Sequence, residues 1–317
     1  MKVHLMYCDR DFDKELKITP HRQILIQDLE LNTLFAAMAN DDKIILGAVR
    51  KAVFESLENK EKILYRQDIL KDCIKNPNTI RKLYDIATTA IERKKKSWWG
   101  VSSMYLSSIL SGSVDLLQIF TEMMRKIRSV VDEQDGKFQS EGFKTLFSIL
   151  KKELDNDYLS TIENHLRELK FRNGILISAE LGNYNQGIHY VLRSEQNTKH
   201  HWLKWSFAPS FTIAPRDDSG STDLSKRGDR AINLTANALA QSADHVLSFF
   251  MMLQAELAFY VGCLNLYERL SGKGEPVAFP VPFSCRERRF SVIGLYDISL
   301  SLVLNERVVG NYIDADG

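Results

Sequence analysis

The side chains best equipped for chemistry in this chain are cations and aromatics set next to one another. Lys199, His200, His201, Trp202, Lys204 and Trp205 crowd into one short stretch. Ammonium groups neutralise phosphates and indole faces stack on bases, so this mixture suits contact with nucleic acid. Arg93-Lys94-Lys95-Lys96-Ser97-Trp98-Trp99 has the same ingredients. A plainer reading competes there: positive charge favours a helix C-terminus, and the tryptophans then pack against the body of the protein. Arg286, Arg288 and Arg289 likewise fit either an exposed turn or a phosphate site.

Other chemistry finds no footing. Ser271-Gly272-Lys273-Gly274 has the residue types of a phosphate loop, but G-x-x-x-x-G-K-[ST] does not occur. H-E-x-x-H, G-x-S-x-G and G-x-G-x-x-G are also missing. The His200-His201 pair has no third metal ligand at workable spacing. Asp217-Asp218, followed by serine, glycine and threonine, reads as a flexible polar loop rather than a metal site. Cys8, Cys73, Cys263 and Cys285 lie too far apart for zinc or redox motifs, which implies reduced thiols and a cytoplasmic setting. The expectation is a chain with no catalytic residue, no metal and no cofactor of its own.

The 42 Lys and Arg residues balance 41 Asp and Glu, so any nucleic-acid contact must come from a local patch, not from net charge. The charges at Asp9, Arg10 and Asp11 rule out a signal peptide. The most apolar stretch, Val246 to Leu264, contains Gln254 and Glu256 and is expected to be a buried helix rather than a membrane span.

The elements that must position these residues are mostly helical. Residues 21–57 show i, i+3, i+4 spacing, interrupted at Asn40-Asp41-Asp42, which can cap the next helix. Further helices are expected near Tyr65 to Cys73 and Thr79 to Arg93, and two more within Phe138 to Lys170. Two segments carry long heptad stripes. Leu106, Leu110, Ser113, Leu117, Phe120, Met124, Ile127 and Val131 form the first, within about Ser103 to Asp132. Ile232, Ala236, Leu239, Ala243, Val246, Phe250, Leu253, Leu257, Tyr260, Leu264 and Tyr267 form the second, within about Asp229 to Leu270. Gaps alternating four and three belong to long helices packed at a shallow angle. Between them the period changes to two around Ile175 to Leu181 and Ile188 to Leu192, predicting a β-hairpin. Residues 194–228 are expected to form partial strand and then a mobile loop. Ser271 to Pro276 reads as a linker, and Phe290 to Leu295 and Ser299 to Leu304 as short elements. Val308 to Ile313 reads as a strand, and Asp314-Ala315-Asp316-Gly317 as a turn into another strand, which suggests a fragment cut at the start of a second domain.

Four stretches resemble MutS mismatch-repair ATPases. Asp28-Leu29-Glu30-Leu31, Ile63 to Leu70 and Asn78 to Leu83 resemble the family's core domain, and Glu306 to Gly317 resembles the strand that opens its ATPase domain. The long second stripe resembles the MutS lever helix, and the hairpin stands where MutS carries its DNA clamp. The resemblance implies a mainly α fold: a helical core and lever domain over residues 1–270, with a clamp-like β-hairpin and loop insertion at 171–228. The first strands of an α/β P-loop ATPase domain would follow at 271–317. It further implies DNA, double-stranded or branched, as partner, ATP and Mg as cofactors of the full-length parent, and a homodimer formed through the ATPase domain. The position matching Val308 is usually aromatic in the family and stacks on adenine, so Val308 departs from it; Asn311 matches the family's asparagine near the nucleotide. Phe120-Thr121-Glu122 has the Phe-x-Glu form of a mismatch probe, but Phe120 lies on the apolar stripe. The would-be clamp is shorter than in MutS, which leaves a structural or branched-DNA role open. The competing expectation is a free-standing helical scaffold that binds protein partners through the Leu253 to Tyr267 stripe.

Overall fold

The computed structural model describes residues 1–12, 20–55, 57, 59–98, 106–134, 136–171, 174–193 and 211–316. The fold is mainly helical with two small antiparallel sheets. In chain order the helices are α1 (Pro20–Asp28), α2 (Leu31–Ala39), α3 (Lys43–Phe54), α4 (Lys60–Lys75), α5 (Pro77–Trp98), α6 (Leu106–Glu133), α7 (Glu141–Glu153), α8 (Asn156–Glu168), α9 (Asp218–Gly272) and α10 (Ile298–Val303). Strands β1 (Ile177–Leu181) and β2 (Gly187–Leu192) form one hairpin, and β3 (Arg289–Leu295) pairs with β4 (Asn311–Asp316).

Both heptad stripes are core. On α6, Leu110, Ser113, Leu117, Phe120, Met124, Ile127 and Val131 are all buried. On α9, Ile232, Ala236, Ala243, Phe250, Leu253, Leu257, Tyr260 and Leu264 are buried as well. The most apolar window of α9 has the length and composition to cross a membrane, yet 67 % of it is buried inside the fold, as in a core helix. Because Leu253, Leu257, Tyr260 and Leu264 lie within the core, the expected protein-docking face along that stripe is not available.

The described chain divides into two compact units. The first comprises Met1–Glu92, Met123–Asn156 and Leu247–Gly317. Helix starts here follow local chemistry: Asp42 caps α3 by accepting from the amides of Ile44 and Ile45, and Asn59 caps α4 through Glu61 and Lys62. Asp42 also accepts from the Tyr84 hydroxyl at 2.7 Å, tying α3 to α5. The C-terminal part of α9 joins the rest by specific contacts. A Cβ on Gly262 would come within 2.7 Å of Val49 Cγ2, so glycine permits the close approach of α3. Gln254 donates to Thr88 Oγ1 at 3.0 Å, Asn265 donates to the Met38 carbonyl at 2.8 Å, and Arg81 reaches Asn265 and Glu268.

Residues 1–12 are irregular, yet Val3, Leu5, Met6, Tyr7 and Phe12 are buried. Side chains distant in sequence satisfy this backbone. Glu256 of α9 accepts from the amides of Leu5 and Met6, and Tyr260 donates to the Leu5 carbonyl at 2.6 Å. From α4, Tyr65 donates to the His4 carbonyl and Arg66 to that of Met6. Arg66 also stacks its guanidinium over Tyr7 and Phe259.

The second unit comprises Arg93–Glu122 and Asp157–Val246. Its core is drawn from Leu110, Val114, Leu117 and Phe120 of α6, Leu159 and Leu166 of α8, and Ile232 and Ala236 of α9. Lys170 pairs with Asp115 at 3.1 Å.

Several expectations are corrected. The helix expected over 21–57 also breaks at Leu29-Glu30, where Glu30 takes a left-handed φ of 47°. The polar run after Arg216 is not a loop throughout. Asp217 accepts from the Gly220 amide and starts α9 at Asp218, so residues 218–228 are helical. Ser271 to Pro276 is not a loose linker. The helix continues to Gly272, Lys273 donates to the carbonyls of Ser301 and Leu304, and Glu275 is buried, accepting from Ser301 Oγ and the Val308 amide. Asp314-Ala315-Asp316 is strand, not turn: these residues pair with Ser291, Phe290 and Arg289, while Val308 to Gly310 precede β4.

Candidate functional site

Lys199, His200, His201, Trp202, Lys204 and Trp205 lie outside the described residues. The chain leaves β2 of the second unit at Leu192 and returns at an exposed Phe211 just before α9. Their segment is therefore flanked by the hairpin and by the first turns of that helix.

The hairpin is built irregularly. Ser178 pairs with Val191 and Glu180 with Ile188, so β2 holds one extra residue between these pairs. His189 absorbs the bulge with a left-handed φ of 53° and meets Glu180 across the strands at 2.8 Å. The amide of Gly182 donates to the Gln186 carbonyl to close the turn, at whose tip Tyr184 is 98 % exposed. Leu181 beside it is also exposed. At the open end Arg193 donates its amide to the Leu176 carbonyl and its Nε to Ser178 Oγ.

Helix α9 adds cations to this hairpin. The Arg230 guanidinium sits 5.9 Å from the Tyr190 ring centre, and Arg227 is held by Asp223 at 2.8 Å. Gly187 leaves room for the Tyr190 hydroxyl, which would stand 2.4 Å from a Cβ there. Arg227, Arg230 and Tyr190 thus belong to the same neighbourhood, and sequence reasoning missed them. The available signal was the i, i+3 spacing of Arg227 and Arg230, hidden because the start of α9 resembled a loop.

The other basic runs lie at a helix end and at an exposed turn. Lys95 and Lys96 fall in the last turn of α5, and Arg93 pairs with Glu122 at 2.9 Å, as a helix C-terminus favours. The side chains of Ser97 and Trp98, and all of Trp99, lie outside the described residues. Arg286 and Arg288 occupy an exposed turn capped by Ser284, and Arg289 opens β3 with its guanidinium over the Phe283 ring at 5.6 Å.

In the first unit, the two positions expected near a nucleotide are separated by two residues. Val308 is half-buried, its amide donating to Glu275 at 3.0 Å; Asn311 is exposed and opens β4 opposite Leu295. Between them Gly310 passes so close to Gly294 that a Cβ would stand 2.7 Å from the Gly294 Cα. Gly294 itself needs its positive φ of 73°.

Among the described residues no group of three His, Cys, Asp or Glu side chains could hold a metal. Cys73 is buried, and burial pushes its thiol well above the usual range, so it is no nucleophile at neutral pH. Phe120 of the Phe-x-Glu sequence is buried on its stripe.

No curated protein and no solved structure matches this chain. A family model does: that of the MutS2 N-terminal domain matches residues 58–273, from just before α4 through the end of α9. The match takes in both heptad helices and the hairpin between them and spans more than half of the sequence, and on that ground the chain belongs to the MutS2 N-terminal domain family.

Proposed function

We propose that this chain is the core and lever portion of a MutS-type DNA-binding ATPase, coupling the nucleotide state of an ATPase domain to engagement of DNA. The observation that carries the reading is the family match over 58–273, because it runs through the two long helices that each contribute to both compact units. A continuous helix transmits displacement along its axis, which is what a lever requires. In this reading residues 271–317 supply the first strands of the ATPase domain, with Val308 and Asn311 near bound ATP-Mg. DNA, duplex or branched, is gripped through Lys199, His200, His201, Trp202, Lys204 and Trp205, supported by Arg193, Arg227 and Arg230. The ATPase domains pair in a homodimer, and the protein works in the cytoplasm in DNA repair or branched-DNA processing. The chain itself performs no catalysis, since it has no phosphate loop to hold a triphosphate.

The test is a salt titration of DNA binding by the chain and its Lys199→Glu/Lys204→Glu variant, using duplex and four-way-junction probes. The variant should bind more weakly and lower the salt slope by roughly two, about 0.9 per lost phosphate contact. Unchanged affinity and slope would remove the DNA assignment from this segment.

A further inference from the structure

Residues 1–12 form neither helix nor strand, yet they are held in place by side chains remote in sequence. We propose that this segment is a pH-gated strap: it lies closed over α4 and α9 while the Glu256 carboxyl is protonated, and opens as a unit, ahead of the helices beneath it, as that carboxyl ionises. The strap belongs to the first unit alone, and its opening needs neither DNA nor nucleotide.

The main chain of the strap is gripped by four side chains. Glu256 Oε2 accepts from the amides of Leu5 and Met6, and Tyr260 donates to the Leu5 carbonyl at 2.6 Å. Tyr65 donates to the His4 carbonyl at 2.7 Å and Arg66 to the Met6 carbonyl at 3.1 Å. Among the described residues no backbone–backbone hydrogen bond ties residues 1–12 to the rest of the chain. Lifting the strap therefore breaks side-chain contacts but no helical hydrogen bond of α4 or α9. Helix α9 keeps other ties, from Gln254 to Thr88 and from Asn265 to the Met38 carbonyl. Burial of Val3, Leu5, Met6, Tyr7 and Phe12 holds the strap closed. Its ion pairs, Asp9 with Lys62 and Arg10 with Glu55, lie at the surface, where such pairs contribute little.

The cost of closure is centred on Glu256. The side chain is fully buried, and no cation pairs with it among the described residues. Arg66 gives its hydrogen bond to the Met6 carbonyl, and its Nε, like Glu256 Oε1, is buried with no partner among the described residues. Such unpaired polar atoms oppose closure. The titratable groups that act on the carboxyl or feel its charge are Asp11 of the strap, a like charge, Tyr65 of α4 and Tyr260 of α9; Glu141 of α7 and Cys8 act on Tyr65. Burial raises the carboxyl to about 7, against the pull of the Met6, Leu5 and Phe12 amides. Those three amides belong to the strap, so opening returns the carboxyl to water and to its ordinary value of 4.5. The closed form thus binds the proton more tightly than the open form. This contribution to closure is fully present below about pH 4.5 and is gone once pH has risen through 7. The spacing of the two values predicts that closure weakens about tenfold between pH 6 and pH 8.

The test is peptide-resolved hydrogen exchange on the full chain at pH 6 and pH 8, with exposure times scaled to equal intrinsic exchange. The peptide carrying the Leu5 and Met6 amides should exchange ahead of the best-protected peptide of α4 at both values, and its protection should fall about tenfold at pH 8. Glu256→Gln should make that protection independent of pH, because its amide accepts without titrating. Tyr260→Phe, which removes the donor to the Leu5 carbonyl, should lower protection of the same peptide at both values and keep the tenfold ratio. The wild-type comparison stands without either variant. Strap amides protected as strongly as the core of α4 would mean that they open only by global unfolding, which overturns the proposal. Protection unchanged between the two values, or a tenfold fall that survives Glu256→Gln, overturns it as well.

Discussion

The two halves of α9 share one heptad period and are packed differently. Residues 218–246 belong to one compact unit and bury a single stripe, with Ala231, Ile232, Ala236 and Ala243 inside and Leu234 82 % exposed. Residues 247–272 belong to the other, and there Leu253, Gln254, Ala255, Glu256, Leu257 and Ala258 are buried in unbroken succession. A helix buried on consecutive positions is surrounded on all sides; one buried only on its stripe leans on neighbours along one side. The apolar spacing is the same in both halves. The difference lies in the positions off the stripe. Asn233, Asn237, Gln241 and Asp244 face water in the first half, whereas Glu256 and Gly262 meet the N-terminal segment and α3 in the second. One end of the helix is thus buried on consecutive positions, and the other only along its stripe.

The strongest way to break the comparison is to truncate one leucine from each half. Leu257→Ala removes a fully buried side chain and should cost about 2–5 kcal/mol, through lost burial and the cavity left behind. Leu234→Ala removes a side chain already in water and should change stability by less than about 0.5 kcal/mol. Urea unfolding of both variants measures the difference, with slopes compared to confirm that the same cooperative unit is reported. Equal effects would mean that the two halves are not packed as described.

Glu256 makes the anchored half sensitive to pH. Burial raises its carboxyl to about 7, against the stabilising pull of the backbone amides of Met6 and Leu5. Oε2 accepts those amides, while Oε1 is buried with no hydrogen-bond partner among the described residues. The folded form holds this proton more tightly than the unfolded chain does. The group's full contribution is therefore present below about pH 4.5 and is lost as pH rises through 7. The loss is roughly 3 kcal/mol from the spacing of the two values. Glu256→Gln should flatten this portion of the stability-pH profile, because the amide oxygen still accepts from the N-terminal segment without a charge to bury. A variant profile that still falls between pH 5 and 7.5 by the wild-type amount would remove Glu256 as its source.

The same contrast explains what could be read from the residues. The stripes on α6 and α9 were legible because long helices in a shared core leave a period. Asp42 was legible as a cap because its partners, the amides of Ile44 and Ile45, are two and three residues away. The buried N-terminal segment has no period: its backbone is satisfied by Glu256, Tyr260, Tyr65 and Arg66, and nothing local announces such distant pairing. The density of Val3, Leu5, Met6 and Tyr7 was the one available hint. The start of α9 was misread because Asp217, Ser219 and Gly220 are loop residues by type, whereas here they form a helix cap and first turn. Asp314 to Asp316 were misread for the same reason. Acidic residues and alanine are poor strand formers, and only pairing with β3 overrides that preference. In the candidate site, cationic and aromatic residue types pointed to 199–205, but the supporting Arg227, Arg230 and Tyr190 come together only when the hairpin and α9 fold.

The smallest effect gives the sharpest test, because it places the same substitution in each half of one helix. Gly228 and Gly262 both lie within α9, where glycine costs backbone entropy relative to alanine. A Cβ at Gly228 meets nothing within 4 Å, so Gly228→Ala should stabilise by about 0.5–1 kcal/mol. A Cβ at Gly262 would sit 2.7 Å from Val49 Cγ2 and 3.1 Å from Ile45 Cγ2, both buried side chains of α3. Neither β-branched side chain can rotate away cheaply in a helix, so α3 must shift. Gly262→Ala should destabilise by about 1–3 kcal/mol despite its gain in helix propensity. The two variants therefore move stability in opposite directions. A stabilised Gly262→Ala would show that α3 has room to move and that the anchored half is no more tightly packed than the half carrying the hairpin.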